Sequence, residues 1–209
     1  MIAAVILAAG ASSRMGTIKA LLPLHGETLL SRIVRLGRAA GAERLVVVLG
    51  PPHGERIAAA LPPGVTVAWN PDPSRGMLSS VQAALPGLFG PAEQGRGALL
   101  WPVDVPLVAL ASVQRLLAAD PTQLAAPCHG ERGGHPLWLP AALFPEVLAL
   151  PATASLRTLR ARHPLTRVAV DDPGVLRDLD TPEDYSRALS EAPEPEALVR
   201  QPAAEQSTR

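Results

Sequence analysis

Three stretches of the chain concentrate residue types able to do chemistry. The first runs Leu7-Ala8-Ala9-Gly10-Ala11-Ser12-Ser13-Arg14-Met15-Gly16-Thr17-Ile18-Lys19 and follows the apolar opening Met-Ile-Ala-Ala-Val-Ile without a spacer. Two glycines, two serines, an arginine and a lysine directly after a hydrophobic strand suit an anion, because small residues let backbone N–H groups approach and the cations neutralise charge. In a partly desolvated site one charge-assisted contact to a polyphosphate contributes about 1.5–3 kcal/mol. The second stretch, Leu99-Leu100-Trp101-Pro102-Val103-Asp104-Val105-Pro106, ends a strongly apolar run on a carboxylate, and Pro106 turns the chain away. In open α/β sheets ligands gather at the carboxyl ends of strands, so Asp104 is placed at a rim. The third, Arg177-Asp178-Leu179-Asp180-Thr181-Pro182-Glu183-Asp184, puts Asp178 and Asp180 on one side if extended, since the side-chain period of a strand is two. Magnesium takes one or two carboxylates together with phosphate oxygens and water, which makes Asp104, Asp180 and, with less weight, Asp178 the metal candidates. Asp180 also stands where a helix cap belongs, so capping and metal binding are both open to it.

Two further motifs carry polar groups. Ser74-Arg75-Gly76-Met77-Leu78-Ser79-Ser80-Val81-Gln82 opens a helix with hydroxyls near its first-turn donors, where they can cap the helix or meet a base edge. Gly130-Glu131-Arg132-Gly133-Gly134-His135-Pro136-Leu137 places an arginine and a histidine among glycines at a strand entrance. The familiar phosphate-loop templates fail. A Walker A loop needs lysine directly after its second glycine, whereas Lys19 lies three beyond Gly16, and the dinucleotide fingerprint fails at Ser12 and Met15.

The composition narrows the function classes. Lys+Arg and Asp+Glu both number 19, which removes the general positive field of a nucleic-acid binder, so anion binding is local. The single cysteine, Cys128, excludes an internal disulfide and a thiolate zinc cluster, and it fits a reducing compartment. The five histidines show no metal-ligand spacing. The apolar start lacks a basic n-region and is too short to span a bilayer, so a soluble, cytoplasmic protein is expected.

What positions these residues is an alternation of apolar runs with amphipathic stretches. Strands are predicted at Ile2 to Leu7, Arg44 to Leu49, Val65 to Trp69 and Ala98 to Val103, and helices at Thr28 to Ala40, Glu55 to Leu61, Leu78 to Leu88 and Ala109 to Ala118. Near-continuous apolar strands imply a sheet covered on both faces, hence an α/β fold of three layers with a mostly parallel, mixed, Rossmann-like sheet. Beyond Asp120 shorter strands are expected at Gln123 to Ala126, Pro136 to Leu139 and Thr166 to Val170, with helices at Ala141 to Leu148, at Ser155 to Arg162 and from Thr181. With 209 residues, 47% of them hydrophobic, one core is the expectation: a single domain over 1–190 and a disordered, Pro- and Glu-rich tail over 191–209.

The spaced set Leu-Ala-Ala-Gly-x-Ser-x-Arg-Met-Gly-x-x-Lys, with Pro-Val-Asp-Val-Pro and Asp-x-Asp-Thr-Pro-Glu-Asp, resembles the MobA-like nucleotidyltransferase family, over residues 1 to about 190. The resemblance implies that the first loop wraps a nucleoside triphosphate, with Leu7, Ala8, Ala9 and Gly10 near base and ribose and Ser12, Arg14, Gly16 and Lys19 on phosphates. It implies that Asp104 and Asp180 hold Mg2+, with Mn2+ as a substitute, and that Ser80 meets the base. Leu-Ala-Ala-Gly accompanies cytidine in that family, which points to CTP as substrate. Arg132 and His135 resemble the acceptor-binding element of its molybdenum cofactor cytidylyltransferase branch, one extra glycine leaving the alignment of Arg132 open by one place. The implied reaction is attack of the molybdopterin phosphate on the α-phosphorus of CTP. No general base is needed, because a phosphate monoester with a second pKa of about 6 is already mostly dianionic. The implied partner is a molybdoenzyme of the xanthine dehydrogenase type or its chaperone. The alternatives are guanylyl transfer, transfer to a sugar or polyol phosphate, and a non-catalytic cofactor-delivery chaperone.

Overall fold

Ile2–Leu7 (β1) is buried along almost its whole length, as expected of a central strand. In this computed structural model, residues 1–11, 15–90 and 92–191 are described. Two of the expected phosphate-handling residues, Ser12 and Arg14, and the tail beyond Glu191 lie outside them. The chain continues through β2 (Pro23–Leu24), β3 (Glu27–Thr28), α1 (Leu29–Ala39), β4 (Arg44–Leu49), α2 (Gly54–Ala58), β5 (Thr66–Trp69), α3 (Met77–Ala84) and β6 (Gly97–Pro102). There follow α4 (Leu110–Leu117), β7 (Ala125–His129), β8 (Arg132–Gly133), β9 (Leu137–Pro140), α5 (Phe144–Ala149), α6 (Leu156–Arg162), β10 (Thr166–Ala169) and α7 (Pro182–Ser190).

The main sheet runs β10-β7-β9-β6-β1-β4-β5, with β8 paired to β7. It is mixed: β1 is parallel to β4 and β6, β4 to β5 and β7 to β10, while β9 is antiparallel to β6 and β7. Alternate residues of each central strand feed opposite faces. Ala4, Ile6, Val47, Leu99 and Trp101 meet α1, α2 and α4 through Ile33, Ile57 and Val113. Ala3, Val5, Val48, Ala98 and Leu100 meet α3, α5 and α6 through Val81, Val147 and Leu159. The three-layer α/β architecture follows from this two-sided burial.

The elements depart from sequence expectation where proline intervenes. The helix expected over Ala141 to Leu148 is split into a 3₁₀ turn, Ala141–Leu143, and α5, because Pro145 has no N–H to return to Ala141. The stretch expected as helix to Leu88 stops at Ala84: Leu85 still holds helical angles, but Pro86 has no N–H to return to Gln82.

Backbone contacts bring the three chemical stretches to one edge. Buried Asp172 accepts from Ala109 N (2.9 Å) and Gly174 N (2.8 Å), tying the segment after Asp104 to the segment before Asp178. Gly174 has no room for a side chain there, since a Cβ would come within 2.1 Å of the Leu107 carbonyl oxygen. Removing the carboxylate leaves two N–H groups unpaired, so Asp172→Ala is expected to destabilise the protein by about 2–4 kcal/mol in urea unfolding.

Candidate active site

Register decides which loops meet. Leu7 stands opposite Pro102 across β1 and β6, so the loop after β1 and the carboxylate after β6 leave the sheet side by side. Val103 N donates to Leu7 O (3.1 Å) and Ala8 N to Val48 O (3.0 Å), carrying the pairing just past the strand ends. The turn holding Asp104 is then fixed from below: the Trp101 indole donates to Val105 O (2.9 Å), and buried Arg32 donates through Nε to Pro106 O (2.9 Å).

Leu179 N donates to Asp104 O (2.7 Å), which ties the third stretch directly to the second. Leu179 is buried with Leu24, Leu29 and Ala188, and its flanking residues, Asp178 and Asp180, reach the rim on either side of it. Asp180 is released from capping, because Thr181 caps α7 through a capping box with Asp184. Its carboxylate meets Lys19 instead. The Lys19 ammonium lies 2.5 Å from Asp180 Oδ1 and 3.6 Å from Asp104 Oδ2, on a side chain only 10% exposed. Two carboxylates from distant segments thus converge on one cation position.

These groups line a cavity of about 330 Å³ with Leu7, Ala8, Ala9, Gly10 and Ser80. That volume is in the range of small-molecule sites. Gly16 lies outside it, on a neighbouring cavity of about 520 Å³ shared with His53 and Arg56. Among the described residues no group of three or more His, Cys, Asp or Glu side chains is arranged to hold a metal. The Asp104–Asp180 pair still suits magnesium or manganese, which take few protein ligands and complete their shell with phosphate and water. That the pair already embraces an ammonium shows that its donors fit a cation.

Asp178 and His135 do not line the cavity, but both lie close enough to Asp104 for its charge to act on them. Asp178 is exposed, yet partial desolvation raises its pKa first, the Asp104 charge adds to this, Asp180 adds further, and His135 and Lys19 oppose. The His135 ring is pushed down mainly by burial, with Asp178 and Asp104 opposing and Arg160 of α6 assisting. His135 Nδ1 is buried without a protein partner among the described residues. Arg132 is exposed on β8 and likewise does not line the cavity. Gly134 has its backbone packed against Val175, in the 3₁₀ turn Pro173–Leu176. A Cβ there would come within 2.2 Å of the Val175 carbonyl oxygen, and His135 N donates to that oxygen (2.8 Å).

A raised folded-state pKa contributes stability that is complete below the unfolded value and lost as pH rises through the folded one. At neutral pH the ionised Asp178 therefore opposes folding. Asp178→Asn is expected to raise the Tm of the metal-free protein at neutral pH and to bring no gain near about pH 3, where both states are protonated. Thermal unfolding in chelator at both pH values measures this.

Ser80, buried in α3, lines the cavity. Neither Ser79 nor Ser80 caps α3 by its side chain, since Gly76 is the N-cap residue. Both hydroxyls are engaged by Asn70, a residue that sequence reasoning passed over. Its only signal was a lone amide between the apolar Trp69 and a Pro-Asp-Pro turn, which reads as turn chemistry.

Among the described residues no helix is long and apolar enough to cross a membrane. The chain is 32% identical over 196 residues to a molybdenum cofactor guanylyltransferase of Xanthomonas euvesicatoria, covering 91% of this chain and 95% of that protein. It is 27% identical over 185 residues to the molybdenum cofactor cytidylyltransferase of Escherichia coli, covering 88% and 93%. Among solved structures it resembles Rv0371c of Mycobacterium tuberculosis, at 34% identity and a TM-score of 0.80 over 91% of this chain and 97% of that one. The manganese complex of Rv0371c superposes with a TM-score of 0.75 at 31% identity, covering 91% and 99%. Residues 4–168 match the MobA-like NTP transferase domain, and with the strand-to-loop turn, Lys19 and Asp104 lying in that span the chain belongs to the MobA-like NTP transferase family.

Proposed function

We propose that this protein is a divalent-metal-dependent cytidylyltransferase that transfers CMP from CTP to the terminal phosphate of molybdopterin, releasing pyrophosphate. The observation that carries the reading is the convergence of Asp104 and Asp180 on the Lys19 ammonium in a cavity that Leu7 to Gly10 also line. The relatives named for molybdenum cofactor nucleotidyl transfer support the acceptor, and the manganese complex of Rv0371c supports the metal.

The chain's own residues bind and orient. Ala8, Ala9 and Gly10 receive the nucleoside, with the Ala9 methyl narrowing the space for a purine. Lys19 and Arg14 take the β- and γ-phosphates and offset charge as the pyrophosphate departs. Asp104 and Asp180 hold Mg2+ or Mn2+, which when bound polarises the α-phosphate for attack. His135, with Arg132 and Asp178 nearby in sequence or space, faces the acceptor side and helps align its phosphate in line with the scissile bond. No side chain need act as base, because the nucleophile is already ionised.

The competing reading is guanylyl transfer, favoured by the more similar of the two named relatives. Pyrophosphate release is measured with CTP, GTP, ATP and UTP, each with and without molybdopterin, and the product is identified by mass. Release with CTP that depends on molybdopterin, with a cytosine dinucleotide as product, is the expected result. Release with GTP alone overturns the base assignment. Release that proceeds only with a sugar or polyol phosphate overturns the acceptor, and binding without turnover on any acceptor favours a delivery chaperone.

A further inference from the structure

Asn70 directly follows the edge strand β5 and is only 3% exposed, although it is an amide. Its hydrogen bonds account for every part of that amide. Asp72 N donates to Asn70 Oδ1 (3.0 Å), and a backbone N–H can only donate, so this contact identifies which end of the amide is the oxygen. The Nδ2 end must then face the two serines, where it donates to Ser79 Oγ (2.9 Å) and Ser80 Oγ (3.0 Å).

The two hydroxyls differ in what is left to them. Ser79 sends its proton to Gly76 O (2.8 Å), so its donor is satisfied within the protein. Ser80 accepts from Asn70, lines the cavity, and has no protein acceptor for its proton among the described residues. A hydroxyl with one lone pair committed to a donor has its remaining donor free for the open side. A buried donor without a partner is costly, so this arrangement calls for a ligand atom or water that accepts.

We propose that Asn70 is a positioning residue that holds the Ser80 hydroxyl with its proton directed into the cavity, so that the site selects a nucleobase presenting a hydrogen-bond acceptor at that point. The inference rests on the nucleotide-binding reading above and deepens it. Asn70 touches no substrate itself. Aspartate at the same position has the same shape but only accepts, so both serine hydroxyls would turn their protons toward it. Ser80 would then offer lone pairs to the base in place of a donor.

The test uses calorimetric titration, with Mg2+ present, of CTP, GTP and inorganic tripolyphosphate into the wild-type protein, Asn70→Asp, Ser80→Ala and the double variant. The expected result is that Asn70→Asp weakens binding of the nucleotide preferred by the wild type about tenfold, the scale of one lost hydrogen bond made worse by an unpaired group. Tripolyphosphate affinity stays within about twofold, because the phosphate half does not touch Asn70. The double variant is expected to bind no more weakly than Ser80→Ala alone, since Asn70 acts through Ser80. Equal losses for nucleotide and tripolyphosphate, additive losses in the double variant, or unchanged nucleotide binding in Asn70→Asp each overturn the proposal. If the wild type binds neither nucleotide, the nucleotide reading and this inference fall together; if it binds and Asn70→Asp binds equally, only this inference falls. Where Asn70→Asp does not fold, Asn70→Ser removes the same donor, and the same nucleotide-only loss is required of it.

Discussion

Asp104→Asn is expected to lower kcat for nucleotidyl transfer by a factor of roughly 10³ while the Tm moves by no more than a few degrees. The loss is large because an amide cannot replace a carboxylate in holding a divalent ion, and the charge on the transferred phosphoryl group then has fewer neutralising partners. The fold is spared for a local reason. It is the backbone carbonyl of Asp104 that receives Leu179 N, and the turn is held by Trp101 and Arg32 through the carbonyls of Val105 and Pro106. The carboxylate itself sits at the rim, 31% exposed, with its Oδ2 3.6 Å from the Lys19 ammonium. Removing its charge also relieves Asp178, whose ionisation Asp104 opposes. Steady-state pyrophosphate release and a thermal melt separate the two effects. Unchanged kinetics in Asp104→Asn would take this residue out of the metal assignment.

Lys19→Ala should damage binding and rate together, lowering kcat/KM by about 10²–10³, because the same ammonium meets the triphosphate in the ground state and the departing pyrophosphate in the transition state. Loss of uniform binding alone would raise KM and leave kcat intact, so a fall in kcat is the informative half. The substitution also removes the cation between Asp180 and Asp104 and leaves carboxylates facing one another, which destabilises the metal-free protein. Divalent metal is therefore expected to raise the Tm of Lys19→Ala more than that of the wild type, since a cation binding only the folded state stabilises by mass action. Nucleotide titration, steady-state rates and melts with and without metal provide the measurements. CTP affinity equal to that of the wild type would exclude Lys19 from the phosphates.

Much of the frame could be read directly from local chemistry. The strands at residues 2–7, 44–49 and 97–102 are runs of apolar side chains long enough to be buried on both faces, and no other placement hides them. Thr28, Ser155 and Thr181 announce helix starts because a side-chain oxygen can reach the backbone N–H groups of the first turn. The alternation of such segments leads to a sheet with helices on both sides, and the carboxyl-end rule places Lys19 and Asp104 on one edge. Proline at 86 and at 145 shortened helices that periodicity alone extended too far.

Sequence alone determined which residues could do chemistry: the cationic loop after β1, the carboxylate after β6 and the paired aspartates before α7. Tertiary structure decided their roles. Asp180 is aimed at Lys19 because Thr181 took the cap and Leu179 was drawn into the core, while Gly134 is committed to packing on Val175. Asn70 emerged only when β5 ended beside α3 and the amide met both serines. Periodicity and capping depend on neighbours a few residues away, so they are written along the chain. The meeting of Lys19, Asp104 and Asp180 depends on strand register and on single buried hydrogen bonds between segments far apart in sequence, and these exist only once the chain has closed.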